Sequence, residues 1–241
     1  TIDNVIRDVL TKFSSLHFVA TENSMQNLID YGIKKETVFN YGCPAVEYIT
    51  KLDIGTSFDP ARISKKFKYP IQIDEKEKYF LVMVHPDTTD ENDVDMDKVL
   101  EIVSRFGFKA FIFYPNIDAN NTEIVSSIAR YNKNDSFFMI RHMPLEDFVH
   151  TMAHCVCMIG NSSSGIRESA SFAIPFINIG ERQIGRERNK NTIDIGNDYG
   201  KLESTIKTCM NQDLDNNNIY YQENCSSRIA ATIANYIGVE E

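Results

Sequence analysis

The stretch Cys155-Val156-Cys157-Met158-Ile159-Gly160-Asn161-Ser162-Ser163-Ser164-Gly165-Ile166-Arg167-Glu168 passes from an apolar run, through small polar residues, into the start of a helix. It reads as strand, turn and helix. Such a turn leaves main-chain N–H groups of the first helical turn unpaired, with the positive end of the helix dipole behind them, and so receives an anion. The glycines and serines let a phosphate approach the backbone, the hydroxyls add donors, and Glu168 falls one turn into the helix, where a carboxylate can accept from sugar hydroxyls. A phosphorylated sugar is the ligand these groups suit. An N-capping serine cluster on an ordinary helix leaves the same local signature, so the decision rests on what surrounds the turn.

Outward from this turn, apolar runs of strand length alternate with helical periodicity, the pattern of an α/β fold with a parallel sheet and crossover helices. Strands are expected at 16–20, 37–40, 79–84, 109–114, 136–140, 155–159 and 176–179. Helices are expected at 22–31, 45–52, 95–106, 121–132, 145–153, 165–172, 199–210 and 226–237, with another entered almost at once through Asp3, Val5, Ile6, Val9 and Leu10. The polar, Lys-rich stretch 53–78, with Asp59-Pro60 and Tyr69-Pro70, suits a connection between two lobes. From Tyr79 onward five consecutive βα units are enough for one doubly wound domain. The chain opens on Thr1 and goes straight into a helix, so it is read as a fragment or processed piece.

A net charge of −9 argues against a protein that tracks a nucleic-acid backbone, which needs basic surface to release counterions. An anionic ligand must then be held locally. The acidic run Asp87 to Asp97 lacks the central glycine and terminal glutamate of a calcium loop and reads as a solvated loop entering a helix. Five cysteines, an odd number with no metal or redox spacing, read as reduced structural thiols. With no apolar run of about 18 residues and no signal-peptide profile, the expected location is the cytoplasm, away from membranes.

Ligands of open α/β sheets bind outside the carboxyl ends of the strands. Each expected strand from Tyr79 onward delivers polar residues there: His85-Pro86, then Tyr114-Pro115-Asn116 with Asp118, then Arg141-His142-Met143-Pro144, the Asn161 to Gly165 turn, and Gly180-Glu181-Arg182-Gln183. Taken singly, His85 and His142 suit loop or turn positions, and Arg182 and Arg186 suit solvated surface. Beside Gly180 and Gly185, however, a guanidinium also suits bidentate phosphate contact. The placement of all of them at one edge favours a site.

The runs Thr1 to Arg7, Tyr41-Gly42-Cys43-Pro44, His85-Pro86-Asp87-Thr88-Thr89-Asp90, Tyr114 to Asp118, Gly160 to Glu168 and Gly180 to Glu187 resemble, in order and spacing, the UDP-N-acetylglucosamine 2-epimerases. The hydrolysing branch, of sialic-acid-type sugar synthesis, is the most similar. The resemblance implies two Rossmann-like lobes of the glycosyltransferase-B type. Residues 1–50 would be the last βα units of the N-terminal lobe, 51–78 the connection, 79–225 the C-terminal UDP-binding lobe, and 226–241 a terminal helix crossing back. It further implies that Ser162 and Ser163 meet the diphosphate together with the following helix N-terminus, that Asn161 and Gly165 also bind UDP, and that Glu168 holds the ribose hydroxyls. Met143 and Phe148 would line the uracil pocket, Arg182 would lie near the nucleotide, and His85 would be catalytic, facing sugar and diphosphate.

The implied reaction eliminates UDP and inverts C2 to release N-acetylmannosamine or a related sugar, with no cofactor or metal, in a homo-oligomer when full length. The family's earlier lobe, with its catalytic carboxylates, has no counterpart here, so this piece alone is expected to bind UDP weakly at most and not to turn over. The competing readings are a non-hydrolysing epimerase, a glycosyltransferase of the same architecture, and a non-catalytic nucleotide-sugar-binding module.

Overall fold

The computed structural model describes residues 2–64, 71–86, 94–115 and 121–238, without the side chains of 2–4 and 64. It divides into two compact units, Thr1–Leu52 with Asn218–Glu241, and Asp53–Asn217.

The first unit begins with α1 (Ile2–Phe13), β1 (His17–Val19), α2 (Glu22–Asp30), β2 (Val38–Asn40) and α3 (Pro44–Thr50). The strands are parallel, with His17 opposite Val38 and Val19 opposite Asn40, and α2 makes the crossover. Thr21 starts α2 by accepting from Ser24 N at 3.2 Å, and Pro44 fits the first turn of α3, where no N–H is needed. In α1 the periodic apolar residues Val5, Ile6, Val9, Leu10 and Phe13 all stay exposed, Phe13 at 85%.

The second unit holds α4 (Pro60–Ser64), β3 (Tyr79–Met83), α5 (Met96–Ser104), β4 (Lys109–Phe113), α6 (Thr122–Arg130), β5 (Phe137–Ile140), α7 (Leu145–Ala153), β6 (Met158–Gly160), α8 (Ser163–Arg167), β7 (Phe176–Ile179), β8 (Thr192–Gly196) and α9 (Tyr199–Cys209). Its sheet runs β5-β4-β3-β6-β7-β8, with each neighbouring pair parallel. Strands covered on both faces must be apolar throughout, and Tyr79-Phe80-Leu81-Val82-Met83 is such a run. Phe80 and Val82 join a core with Val99 and Leu100 of α5, Ile128 of α6, and Leu202 and Ile206 of α9. Tyr79 meets Phe58 and Phe111 with ring centroids 4.8 and 5.1 Å apart.

The chain leaves central β3 toward β4 and β5, then returns to lay β6, β7 and β8 on the other side. This is the strand order of doubly wound nucleotide-binding domains, and its crevice opens where direction reverses, between the carboxyl ends of β3 and β6. The expected fold class, a Rossmann-like doubly wound parallel sheet, is therefore the one observed. Local expectations change: the strand expected over 155–159 runs over Met158–Gly160, and the connection 53–78 carries the short helix α4. A sixth strand, β8, joins the sheet; its Thr-Ile-Asp-Ile-Gly sequence alternates rather than forming an apolar run, as suits an edge strand paired on one side. The helix expected over 165–172 starts at Ser163, ends at Arg167, and continues only as a 3₁₀ turn over Ser169–Phe172. Side chains take the carbonyls that would extend it: Ser169 Oγ donates to Gly165 O at 2.8 Å and Asn189 Nδ2 to Ile166 O at 3.0 Å.

The segment before β3 is tied to α7 by His150. Asp59 N donates to His150 Nε2 at 2.9 Å, so the proton sits on Nδ1, which donates to Ile54 O at 2.8 Å, and the Phe58 ring stacks on the imidazole. Burial holds the His150 pKa below the ordinary imidazole value, with the neighbouring His154 acting in the same direction. A depressed imidazole pKa means the unfolded chain takes up the proton first. The stabilisation is therefore complete above the unfolded value of about 6.5 and declines as pH falls through it toward the folded value. We expect the melting temperature to fall between pH 7.5 and 5.5, and His150→Gln, which keeps a donor and an acceptor but does not titrate, to flatten that fall. An equal fall in the variant would remove His150 as its cause.

After Asn218 the chain returns to the first unit. Cys43 N donates to Tyr220 O at 2.8 Å, and Gly42, with φ +82°, leaves room for Gln222 N, which an added Cβ would meet at 2.9 Å. The last helix, α10 (Cys225–Ile237), packs on α3. Its first turn is capped from outside by Glu47 of α3, which accepts from Ser226 N at 2.9 Å and Ser226 Oγ at 2.8 Å. The Lys51 ammonium, then these Ser226 donors, pull the Glu47 carboxyl down to about 2. All five cysteines are buried and unbridged. Among the described residues no helix is long and apolar enough to cross a membrane.

Candidate functional site

At the last rung of the β3–β6 ladder Met83 faces Gly160, and beyond it Asn161 N donates to Met83 O at 3.1 Å. Gly160 is required here: its φ is +138°, and a Cβ would sit 1.9 Å from Met83 O. The close approach carries the Asn161 side chain against the next strand end. Asn161 Oδ1 accepts from His85 N at 2.7 Å, and Asn161 Nδ2 donates to His85 O at 2.8 Å. Both residues are buried, Asn161 to 1% and His85 to 6% exposure.

The third strand end joins at the same residue. Asn161 O accepts from Arg182 Nη1 at 3.3 Å and from Gln183 Nε2 at 2.8 Å, both on the turn that follows β7. That turn is fixed in place by Arg188, whose Nη1 donates to Gln183 O at 2.9 Å and whose Nε pairs with Asp194 on β8 at 3.0 Å. His85, Asn161 and Arg182 are thus one connected group at the switch point. Gln183 belongs to it too, and sequence reasoning did not single it out. It lies in the Gly180 to Glu187 run, but a glutamine between an arginine and an isoleucine gives no sign that it will be buried.

Ser162 is the N-cap of α8 and accepts from Ser164 N at 3.3 Å, while Ser163 opens the helix and is partly exposed. Gly165 lies under the fully buried Phe176 ring, whose carbons a Cβ would approach to 2.3 Å. That glycine brings helix and strand together. Glu168 closes the turn rather than sitting inside a long helix: its N–H donates to Ser164 O at 2.8 Å, and Arg167 Nη2 reaches its carboxylate at 3.3 Å. Met143 and Phe148 flank the start of α7 and are both buried. Thr151 Oγ1, which donates to Asp147 O at 2.8 Å, lies 3.6 Å from Met143 Sδ, and Phe148 stands edge-on to Phe113 at 5.5 Å. α7, which carries Phe148 and follows Met143, packs against the 3₁₀ segment after Glu168. His142 is exposed, and Arg141 lies over the Tyr114 ring at 4.5 Å. Asp87 to Asp90, Asn116 and Asp118 fall outside the described residues. Among the described residues no three His, Cys, Asp or Glu side chains group as a metal site would require.

The arrangement sits at the switch point of a doubly wound α/β domain, where such sheets bind ligands, with a capped serine turn on one strand end and a histidine on the next. The same backbone recurs in solved structures. A UDP-GlcNAc 2-epimerase from Neisseria meningitidis bound to UDP-GlcNAc matches 95% of this chain and 64% of its own, at 18% identity and a TM-score of 0.74. An S. aureus MnaA–UDP structure matches 98% and 64%, at 17% identity and a TM-score of 0.72. The sequence profile of the UDP-N-acetylglucosamine 2-epimerases matches residues 1–234, and the chain belongs to that family. Among its relatives are the UDP-N,N'-diacetylbacillosamine 2-epimerase (hydrolyzing) of Legionella pneumophila, 31% identical over 88% of this chain, and the GDP/UDP-N,N'-diacetylbacillosamine 2-epimerase (hydrolyzing) of Campylobacter jejuni, 32% identical over 84%. The chain spans 55% and 54% of those two proteins, about half their length.

Proposed function

We propose that this chain is the nucleotide-binding portion of a hydrolysing UDP-sugar 2-epimerase acting on a UDP-2-acetamido sugar. The observation that supports it most is the connection of His85 to the Gly160–Glu168 turn at the switch point, through Asn161. In this reading the Ser162 and Ser163 hydroxyls and the first N–H groups of α8 meet the diphosphate, Glu168 accepts from the ribose hydroxyls, Met143 and Phe148 border the uracil, and Arg182 lies beside the nucleotide. His85 faces the sugar and the diphosphate.

When the C1–O bond breaks and the C2 proton leaves, negative charge gathers on the departing UDP oxygens. Donors already in place and shielded from water stabilise that charge without having to reorganise. Water then adds across the new C1–C2 double bond to give the C2-inverted free sugar. A base for the C2 proton has no counterpart among these residues, so turnover needs the whole protein. In the same proposal residues 1–52 finish a first lobe, 53–217 form the UDP-binding lobe with 53–78 leading into it, and 218–241 return to the first lobe. The exposed apolar face of α1 supports a covering layer of that kind.

Calorimetric titration with UDP, with ADP as control, tests the binding half of the proposal. A carboxylate accepting from two hydroxyls contributes about 1.5–3 kcal/mol, so Glu168→Ala is expected to weaken UDP binding roughly tenfold to a hundredfold. Ser162→Ala should lose about tenfold, with a modest drop in melting temperature because Ser162 also caps α8. Equal binding of ADP and UDP, or UDP binding unchanged in both variants, would place the nucleotide elsewhere.

A further inference from the structure

We infer that Asn161 is a positioning residue, which sets His85 in place and does not itself bind the nucleotide. The inference rests on the reading that His85 faces the substrate. It departs from the expectation that Asn161 is a UDP ligand, and the hydrogen bonds are the reason. An asparagine amide offers one carbonyl and two N–H donors, and its main chain adds one donor and one acceptor. In Asn161 the main-chain N–H goes to Met83 O, the main-chain carbonyl accepts from Arg182 and Gln183, and the side chain forms a closed pair with the N–H and C=O of His85. At 1% exposure, little of the residue is left to touch anything else.

The closed pair copies what a neighbouring strand would do. The ladder stops at Met83 opposite Gly160, and the Asn161 amide then supplies the next two bonds from its side chain. The main chain of His85 is held although it lies beyond the sheet, and the same residue ties the Arg182–Gln183 turn to it. A histidine on an otherwise ordinary loop thereby gains a fixed origin relative to the α8 turn. Catalytic groups lose on the order of a hundredfold in rate when misplaced by about 1 Å, so such a bracket acts on the chemical step more than on binding.

The test uses the full-length protein with Asn161→Asp, Asn161→Ser, His85→Ala and the double variants. Asn161→Asp keeps an acceptor for His85 N–H but sets a carboxylate oxygen against His85 O. For this variant kcat is expected to fall about tenfold to a hundredfold while the Kd for UDP stays within about threefold, and the loss in kcat should largely vanish in the His85→Ala background. The Cε1–H signal of His85 should shift in Asn161→Asp. A Kd raised in step with an unchanged kcat, or a loss of the same size in the His85→Ala background, would overturn the inference. If the wild-type protein releases no UDP from UDP-2-acetamido sugars, the functional reading fails, and the His85 signal decides the positioning by itself. A shift then supports the bracket, and an unmoved signal refutes it. Should Asn161→Asp not fold, Gln183→Leu, which removes one bond to the Asn161 carbonyl, is expected to give a smaller loss confined to kcat, and a loss confined to UDP affinity would count against the bracket.

Discussion

Gly160→Ala is expected to be among the most destabilising single changes in the chain and to abolish the crevice at the switch point. The added Cβ would stand 1.9 Å from Met83 O and 2.6 Å from Met83 C, both main-chain atoms of a buried central strand. Neither a rotamer change nor a shift of a side-chain tip relieves such a contact, so β3 and β6 must part at their last rung. A non-glycine residue at φ +138° adds its own strain. Backbone strain of about 1–3 kcal/mol and overpacking of about 1–3 kcal/mol or more together are a large share of the stability of a typical domain, about 5–15 kcal/mol. We expect urea denaturation to give a loss of at least about 3 kcal/mol, together with loss of any UDP binding. Gly185→Ala is the control: its φ is +82°, but nothing lies within 4 Å of the Cβ position, so only the conformational cost applies. If both variants lose the same amount, close approach to Met83 is not what Gly160 provides.

This pair of glycines also illustrates what could be read from sequence. The run 79–84 and the small-residue turn after Ile159 announced strand and turn by composition, and both stand where expected. The order of strands did not, because hydrophobic period carries no information about which strand lies beside which. The reversal between β3 and β6, which makes neighbours of His85 and Asn161 across 76 residues, is a property of the tertiary structure alone. β8 escaped notice because an edge strand needs only one apolar face. The helix after Ser163 looked longer in sequence than it is, since Asn189, more than a turn and a strand away, takes one of its carbonyls. The residues of the site were legible by type. The proposed division into residues that touch a ligand and one that holds another residue was not, because it depends on which hydrogen-bonding groups the fold has already used.

The second large effect is expected at Arg62, far from the crevice in sequence. Its Nε pairs with Asp147 Oδ1 at 3.0 Å, and its Nη groups donate to Asp53 O and Glu146 O at 3.2 Å each. The Asp147 side chain is 1% exposed, while that of Arg62 is 27% exposed. Removal of one partner from a buried pair costs about 3–5 kcal/mol. Partial exposure of the guanidinium lets water approach after truncation, so Arg62→Ala is expected near the lower figure, about 3 kcal/mol by urea denaturation. Replacing both partners by apolar residues, Arg62→Met with Asp147→Leu, removes the buried carboxylate as well as the attraction, and should be less destabilised than Arg62→Ala alone despite two substitutions. A loss below about 1 kcal/mol for Arg62→Ala would mean that the pair behaves as an exposed salt bridge. The pair fastens the segment before β3 to the first turn of α7, the helix that follows Met143 and carries Phe148, so the proposed uracil contacts depend on it. Arg62→Ala should therefore weaken UDP binding without touching the nucleotide, whereas the double variant, with the segment docked again by packing, should recover part of it.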